Sequence, residues 1–238
     1  MAFPNFENKH QNDAFFSPKD FLNYLQQINA LPEFEIPEAL ILCYQNSLAQ
    51  YIEKNEEITQ VNNSFTRMWL LNSTGNKVGV CANFGIGAPA AAIILEEMVA
   101  LGVKKFISIG TAGSLQNSSD IGDIIVCNKA IRDEGVSHHY LASDKYAYPS
   151  PVLTDRLKSE LTKNDLAYTE GVSWTIDAIY RETVAEARHY QAEGVITVEM
   201  EASALMAVAQ YREVDLACAF VISDSLAELV VSLELIDK

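Results

Sequence analysis

The sequence predicts an α/β protein with a central, mostly parallel sheet covered by helices on both faces. Two observations carry that expectation. Short apolar runs alternate with segments of helical periodicity along the chain, and three of those runs end in clusters of small and polar residues. Alternation of this kind joins parallel strands through crossover helices. Ligands of such sheets sit beyond the carboxyl ends of the strands, so the three unusual ends mark the candidate site.

Residues 1–38 are polar and aromatic, with Pro18, Pro32 and Pro37. They read as an arm carrying one short helix, Pro18–Gln27, with Ser17 as N-cap and Pro18 at the first helical position. Residues 39–238 read as one domain. Its expected strands are Ala39–Tyr44, Val78–Asn83, Phe106–Gly110, Ile124–Cys127 and Ala217–Ser223. Its expected helices are Ala88–Leu101, Pro151–Lys163, Val184–Gln191 and Glu201–Arg212. No repeat, low-complexity segment or linker divides the chain.

Composition narrows the function classes. Apolar residues make up 49% and charged residues 21% of the 238, as in ordinary globular proteins. No run of 18 apolar residues predicts a membrane span, and Met1–Lys19 lacks a signal-type apolar core. A net charge of -15 disfavours nucleic acid and anionic lipid as partners. Cys43, Cys81, Cys127 and Cys218 are widely spaced with no zinc pattern, so buried free thiols in a cytoplasmic protein are expected, with no metal and no cofactor.

Several motifs could carry chemistry, and each has a plain structural reading beside it. Gly85-Ile86-Gly87 lies between a strand and a helix, where it serves either a tight turn or the close approach of a ligand. It lacks the third glycine of a dinucleotide fingerprint. Gly110-Thr111-Ala112-Gly113 is either a bland turn or a ligand contact through the Thr111 hydroxyl. In Val198-Glu199-Met200-Glu201, one Glu suits a helix N-terminus; the other could grip a vicinal diol while Met200 packs on a sugar face. Ser223-Asp224 offers an N-cap or a general acid. His138-His139 reads as a surface pair.

These segments, in this order, resemble the nucleoside phosphorylase and nucleosidase family, which includes uridine phosphorylases, hexameric purine nucleoside phosphorylases and methylthioadenosine nucleosidases. The stretch from Gly85 to Asp123 is similar to uridine phosphorylases nearly throughout. Further matches are RDEGVSHHY (Arg132–Tyr140), GVSWTIDAIY (Gly171–Tyr180), VEMEASAL (Val198–Leu205) and Ser223-Asp224. The resemblance implies a three-layer αβα fold around a mixed, mostly parallel sheet, a small-molecule nucleoside as substrate, phosphate as candidate second partner, and a homo-oligomer, dimer or hexamer. It places Glu201 on the ribose hydroxyls, Met200 on the sugar face, and Thr111 between sugar and phosphate. It adds Gly87, Ile179 and Ser223 as substrate contacts and makes Asp224 the acid that protonates a purine at N7. Uridine phosphorylases lack that Asp, which tips the expected base toward purine.

The acceptor side departs from the family. The resemblance puts phosphate-binding arginines at three positions, and here they are Leu48, Asn63 and Ser108. Arg67, Arg132 and Arg181 are the candidate substitutes. Hydrolytic members also lack those arginines, yet their water-activating carboxylate falls near Leu48, with Gln45 the nearest polar group. The aromatic that stacks on the base is replaced by Ile179, and the family's long C-terminal helix has no counterpart in the residues after Asp224. The expected function is cleavage of the N-glycosidic bond of a purine nucleoside, with phosphate or water as acceptor. The alternatives are a nucleoside-binding protein with little turnover and a scaffold without ligand.

Overall fold

The computed structural model describes residues 4–61 and 66–228. Among these residues, ten strands form one sheet: β1 (Ala39–Cys43), β2 (Ile58–Val61), β3 (Arg67–Leu71), β4 (Val78–Ala82), β5 (Lys105–Ser114), β6 (Ile124–Asp133), β7 (Tyr146–Ala147), β8 (Thr169–Ile176), β9 (Thr197–Glu199) and β10 (Asp215–Ser225). Six α-helices accompany them: α1 (Pro18–Gln27), α2 (Asn46–Asn55), α3 (Ala88–Leu101), α4 (Pro151–Lys163), α5 (Val184–Ala192) and α6 (Ala202–Tyr211). Asn63, an expected family position, lies outside the described residues.

The strands read from apolar runs form the parallel heart of the sheet. β1 pairs in parallel with β4 on one side and β5 on the other, and β5 pairs in parallel with β10. β2 and β3 extend the β4 edge as antiparallel strands. On the opposite side β5, β10, β6, β8 and β9 pair in a closed ring, with two antiparallel joints at β10–β6 and β9–β5. The sheet is therefore mixed, with its parallel strands directing their carboxyl ends to one place.

Alternation along β1 shows why helices cover both faces. Leu40 and Leu42 join one apolar cluster with Leu95 and Met98 of α3 and Leu205 and Met206 of α6. Ile41 and Cys43 point the other way, to a cluster with Trp69, Ala49 and Leu48. Successive side chains of a strand face opposite sides, so a strand covered twice is apolar throughout. Every residue from Ala202 to Ala209 of α6 is buried; the run is apolar except for Ser203, whose hydroxyl donates to Glu134 Oε1 at 3.0 Å.

The chain N-terminal to β1 carries α1, which packs on α3. Ser17 caps it with a complete capping box: its hydroxyl accepts from the Asp20 amide, and the Asp20 carboxylate accepts from the Ser17 amide at 2.8 Å. All four cysteines are buried free thiols. No helix among the described residues is long and apolar enough to cross a membrane.

The structure corrects several expectations, among them the end of β6, which runs on from Cys127 to Asp133. β5 does not stop at Gly110 but runs on to Ser114, so Gly110–Gly113 is strand rather than turn. β10 likewise continues through Asp224, which caps no helix. α6 begins at Ala202, one residue later than expected, because the Glu201 backbone is still non-helical. His138 and His139 are not a surface pair: both are half-buried, His138 Nε2 lies 3.1 Å from the Arg132 carbonyl, and His139 Nδ1 lies 2.8 Å from Lys9 Nζ.

Candidate functional site

The carboxyl ends of β1, β5, β9 and β10 surround a cavity of about 500 Å3. Thr111, Ile179, Met200, Glu201, Ser223 and Asp224, all expected from the sequence, line it together. Gly87 does not line it; it reaches the site through its amide. That amide donates to Glu201 Oε1 at 2.6 Å. Gly87 adopts φ 93° at the N-cap of α3, a conformation that favours glycine. The amide is thereby engaged, not left open to an anion.

The two glutamates around Met200 have separate tasks. Glu199 is buried and accepts four hydrogen bonds: from Ser173 Oγ (3.0 Å), Thr175 Oγ1 (2.6 Å) and the amides of Glu201 and Ala202 (both 2.7 Å). It thus satisfies the first donors of α6 and ties that helix to β8. Burial pushes its carboxyl above the usual range, and its four donors oppose the shift. Glu201, relieved of capping, turns into the cavity. Burial first, and the nearby Glu199 charge second, push its carboxyl up to about 7.

Asp224 owes its placement to an irregularity. The register of β10 against β5 shifts between Ile222 and Asp224, so Ser223 is an extra residue and Asp224 stands opposite Gly113. Such a bulge re-aims the side chain that follows it. The Ser223 hydroxyl donates to Asp224 Oδ1 at 2.6 Å. A Cβ on Gly113 would lie 3.2 Å from Asp224 Oδ2 and 3.3 Å from Val198 Cγ1, so the second glycine of Gly110–Gly113 makes room for the acid.

Of the other lining residues, the sequence singles out Gln45 but not Glu182 or Tyr44. Glu182 reaches the cavity from the segment after a 3-10 turn at Ile179–Arg181; burial, then the charge of Asp224, raises its carboxyl. Tyr44 lies edge-on to Phe84 with ring centroids 5.1 Å apart, and its hydroxyl is 3.3 Å from Ser108 Oγ. Gln45 Nε2 donates to Thr111 Oγ1 at 3.1 Å. Ile179 sits half-exposed at the mouth beside Tyr180, which is 96% exposed.

Among the described residues, the lining holds four carboxylates (Glu182, Glu199, Glu201 and Asp224) and no Lys, Arg or His. Leu48 packs in the apolar cluster of Trp69, and Ser108 is buried. The three candidate arginines are engaged elsewhere or lie off the lining. Arg67 pairs with Glu53 and lies 5.1 Å over the Trp69 ring. Arg132 is buried and donates to Ser137 Oγ and the Ala142 and Leu141 carbonyls. Arg181 is exposed and does not line the cavity. No group of three or more His, Cys, Asp or Glu among the described residues is placed to hold a metal ion.

Comparison with known proteins adds names to this geometry. Residues 39–234 match the family described as the phosphorylase superfamily. A guanosine phosphorylase from Halorubrum lacusprofundi is 30% identical over 69% of this chain and 64% of its own length. A uridine phosphorylase from Haemophilus influenzae is 29% identical over 66% of this chain and 67% of its own. The chain thus spans about two thirds of the length of these relatives. Among solved structures, uridine phosphorylase from Vibrio fischeri ES114 superposes with a TM-score of 0.74 at 26% identity, covering 82% of each chain.

Proposed function

This chain belongs to the phosphorylase superfamily, and we propose that it cleaves the N-glycosidic bond of a purine nucleoside, with water rather than phosphate as the acceptor. One observation carries the reading. Glu201 and Asp224 come from two different strand ends into a single cavity that has no cationic side chain among its described lining residues.

Glycosidic cleavage places positive charge on the sugar and negative charge on the departing base. A carboxylate on the ribose diol holds the sugar through two hydroxyl donors, and the Glu201 carboxylate is free to accept them once Gly87 yields. The carboxylate-rich wall favours the growing positive charge. At the base end, Asp224 is oriented by Ser223, and its charge is felt by Glu182. A purine N7 next to Asp224 gains a proton or a strong hydrogen bond as the bond breaks, and Glu182 can accept from the base's own N–H groups. A well-placed acid contributes ~10²–10⁴-fold.

The acceptor end supports water. Moving phosphate into a pocket costs several kcal/mol per charge unless cations and donors replace its hydration. Thr111 and Gln45 supply hydroxyl and amide groups only, which can orient a water molecule. Gln45 cannot take its proton, so the leaving base and the carboxylates must.

The missing aromatic at Ile179 favours one second reading, a nucleoside-binding protein with little turnover. The exposed apolar groups at the mouth, Ile86 (68%), Ile179 (52%) and Tyr180, suit coverage by a second copy of the chain, and we expect a dimer or a trimer of dimers; a monomer by light scattering would reject that. The cytoplasm is the compartment that suits four reduced thiols. The functional test is release of free base from purine and pyrimidine ribonucleosides, followed by chromatography. Purine release is expected. Tight binding of nucleosides without release of any base would establish the second reading instead.

A further inference from the structure

A second cavity, of about 580 Å3, lies between the N-terminal arm, one side of α3 and the end of α6. It contains none of the carboxylates of the first cavity. Its walls are largely apolar: Phe16, Pro18 and Phe21 from the arm, with Ala92 and Ile93 from α3. Glu97 of α3 also lines it, is only 9% exposed, and has no hydrogen-bond partner for Oε2 among the described residues. Buried polar atoms are almost always paired, so an orphan carboxylate oxygen at a cavity wall calls for an explanation.

Cations are present nearby, but they are engaged elsewhere. Arg212 gives two donors to Glu96, at 2.7 and 2.9 Å. Lys9 Nζ lies 2.8 Å from His139 Nδ1. We propose that this cavity binds a small organic cation, a protonated amine on an apolar or aromatic body, with Glu97 as its counter-ion. The ammonium supplies the donor that Oε2 lacks. The body lies against Phe16, Phe21 and Ile93, and the volume is that of an ordinary small-molecule site. An anion would meet an uncompensated carboxylate, and a neutral body would leave the carboxylate charge without a counter-ion even where a hydroxyl reached Oε2.

The alternative is a Glu97 that merely stays protonated under its apolar cover, since burial pushes its carboxyl up to about 7. Binding of an amine tells the two apart. The full chain is titrated by calorimetry with phenethylamine, with 2-phenylethanol and phenylacetate as controls, near pH 6 and near pH 8. Saturable binding of the amine alone is expected. It should tighten by about tenfold between those pH values, because Glu97 must give up its proton to receive the cation while the amine stays charged. Lys9, His10 and Asp13 of the arm, His139 and Tyr140 of the adjoining turn, Tyr211 and Arg212 at the end of α6, and Glu96 also line the cavity. Glu97→Gln separates their titration from that of Glu97: it should weaken binding near pH 8 by about tenfold or more and flatten the pH dependence. Phe16→Ala, on the exposed arm, should weaken binding several-fold without touching α3. Absence of saturable binding, equal binding of the alcohol, equal binding by Glu97→Gln, or displacement of the amine by nucleoside would each overturn the proposal.

Discussion

The two ends of the central cavity are furnished differently. At the end proposed to hold base and sugar, a bulge at Ser223, a missing side chain at Gly113 and a dedicated capping residue, Glu199, all serve to aim Asp224 and Glu201. At the other end, Leu48 is packed into an apolar cluster and Ser108 is bound up with Tyr44. On the proposed reading, the first end grips a nucleoside with supporting structure behind it, whereas the described lining residues at the second offer no cation for phosphate. The two ends of one cavity are therefore separable and can be tested one at a time.

The largest effect is expected at Asp224. Asp224→Asn should slow base release by ~10²–10⁴-fold while nucleoside affinity changes far less. An unchanged rate in steady-state kinetics would move the chemistry away from the base end. Next comes Glu201. Glu201→Gln should weaken nucleoside binding by ~1.5–3 kcal/mol, measured by calorimetry. Wild-type affinity should fall as pH drops below about 7, because protonation removes the charge that strengthens both diol hydrogen bonds. The Gln variant should show no such fall.

Glu201 also makes a stability prediction. Its carboxyl is raised on folding, so the folded chain holds the proton more tightly, and the associated stability is lost as pH rises through about 7. Glu201→Gln should therefore be more stable than wild type near pH 8, by roughly 1–2 kcal/mol and seen as a higher unfolding temperature, with the gap closing near pH 5. A smaller effect is expected at Gly113. Gly113→Ala forces Asp224, Val198 or Leu226 to shift by a few tenths of an ångström, and should cost on the order of tenfold in rate. The smallest belongs to Arg67. Arg67→Ala removes a surface ion pair, costing less than ~1 kcal/mol of stability, and should leave base release and its phosphate response unchanged.

Hydropathy reading found β1, β4 and the apolar starts of β5, β6 and β10, because strands buried on both faces stay apolar along their length. It missed β8 for the opposite reason. Ser173 and Thr175 are fully buried there, yet they are polar because they hold Glu199. It also ended β5 at Gly110, since Gly110–Gly113 has the small residues of a turn; only the strand opposite shows that those residues make space. The local pattern alone does not tell Glu199 and Glu201 apart, because their difference lies in which one meets Ser173, Thr175 and the α6 amides; only the family resemblance singles out Glu201. Glu182 has no local pattern at all and is placed by the 3-10 turn before it. The engagement of Gly87 with Glu201 joins residues far apart in the chain and leaves no mark in either segment.

The most direct measurement of acceptor choice follows base release from a purine ribonucleoside, from phosphate-free buffer to phosphate saturation, while sugar 1-phosphate is quantified. A cavity lined by carboxylates and without a cation among its described residues predicts release in the absence of phosphate, a rate that scarcely changes as phosphate is added, and free sugar as product. Saturable stimulation by phosphate with stoichiometric sugar 1-phosphate would contradict it.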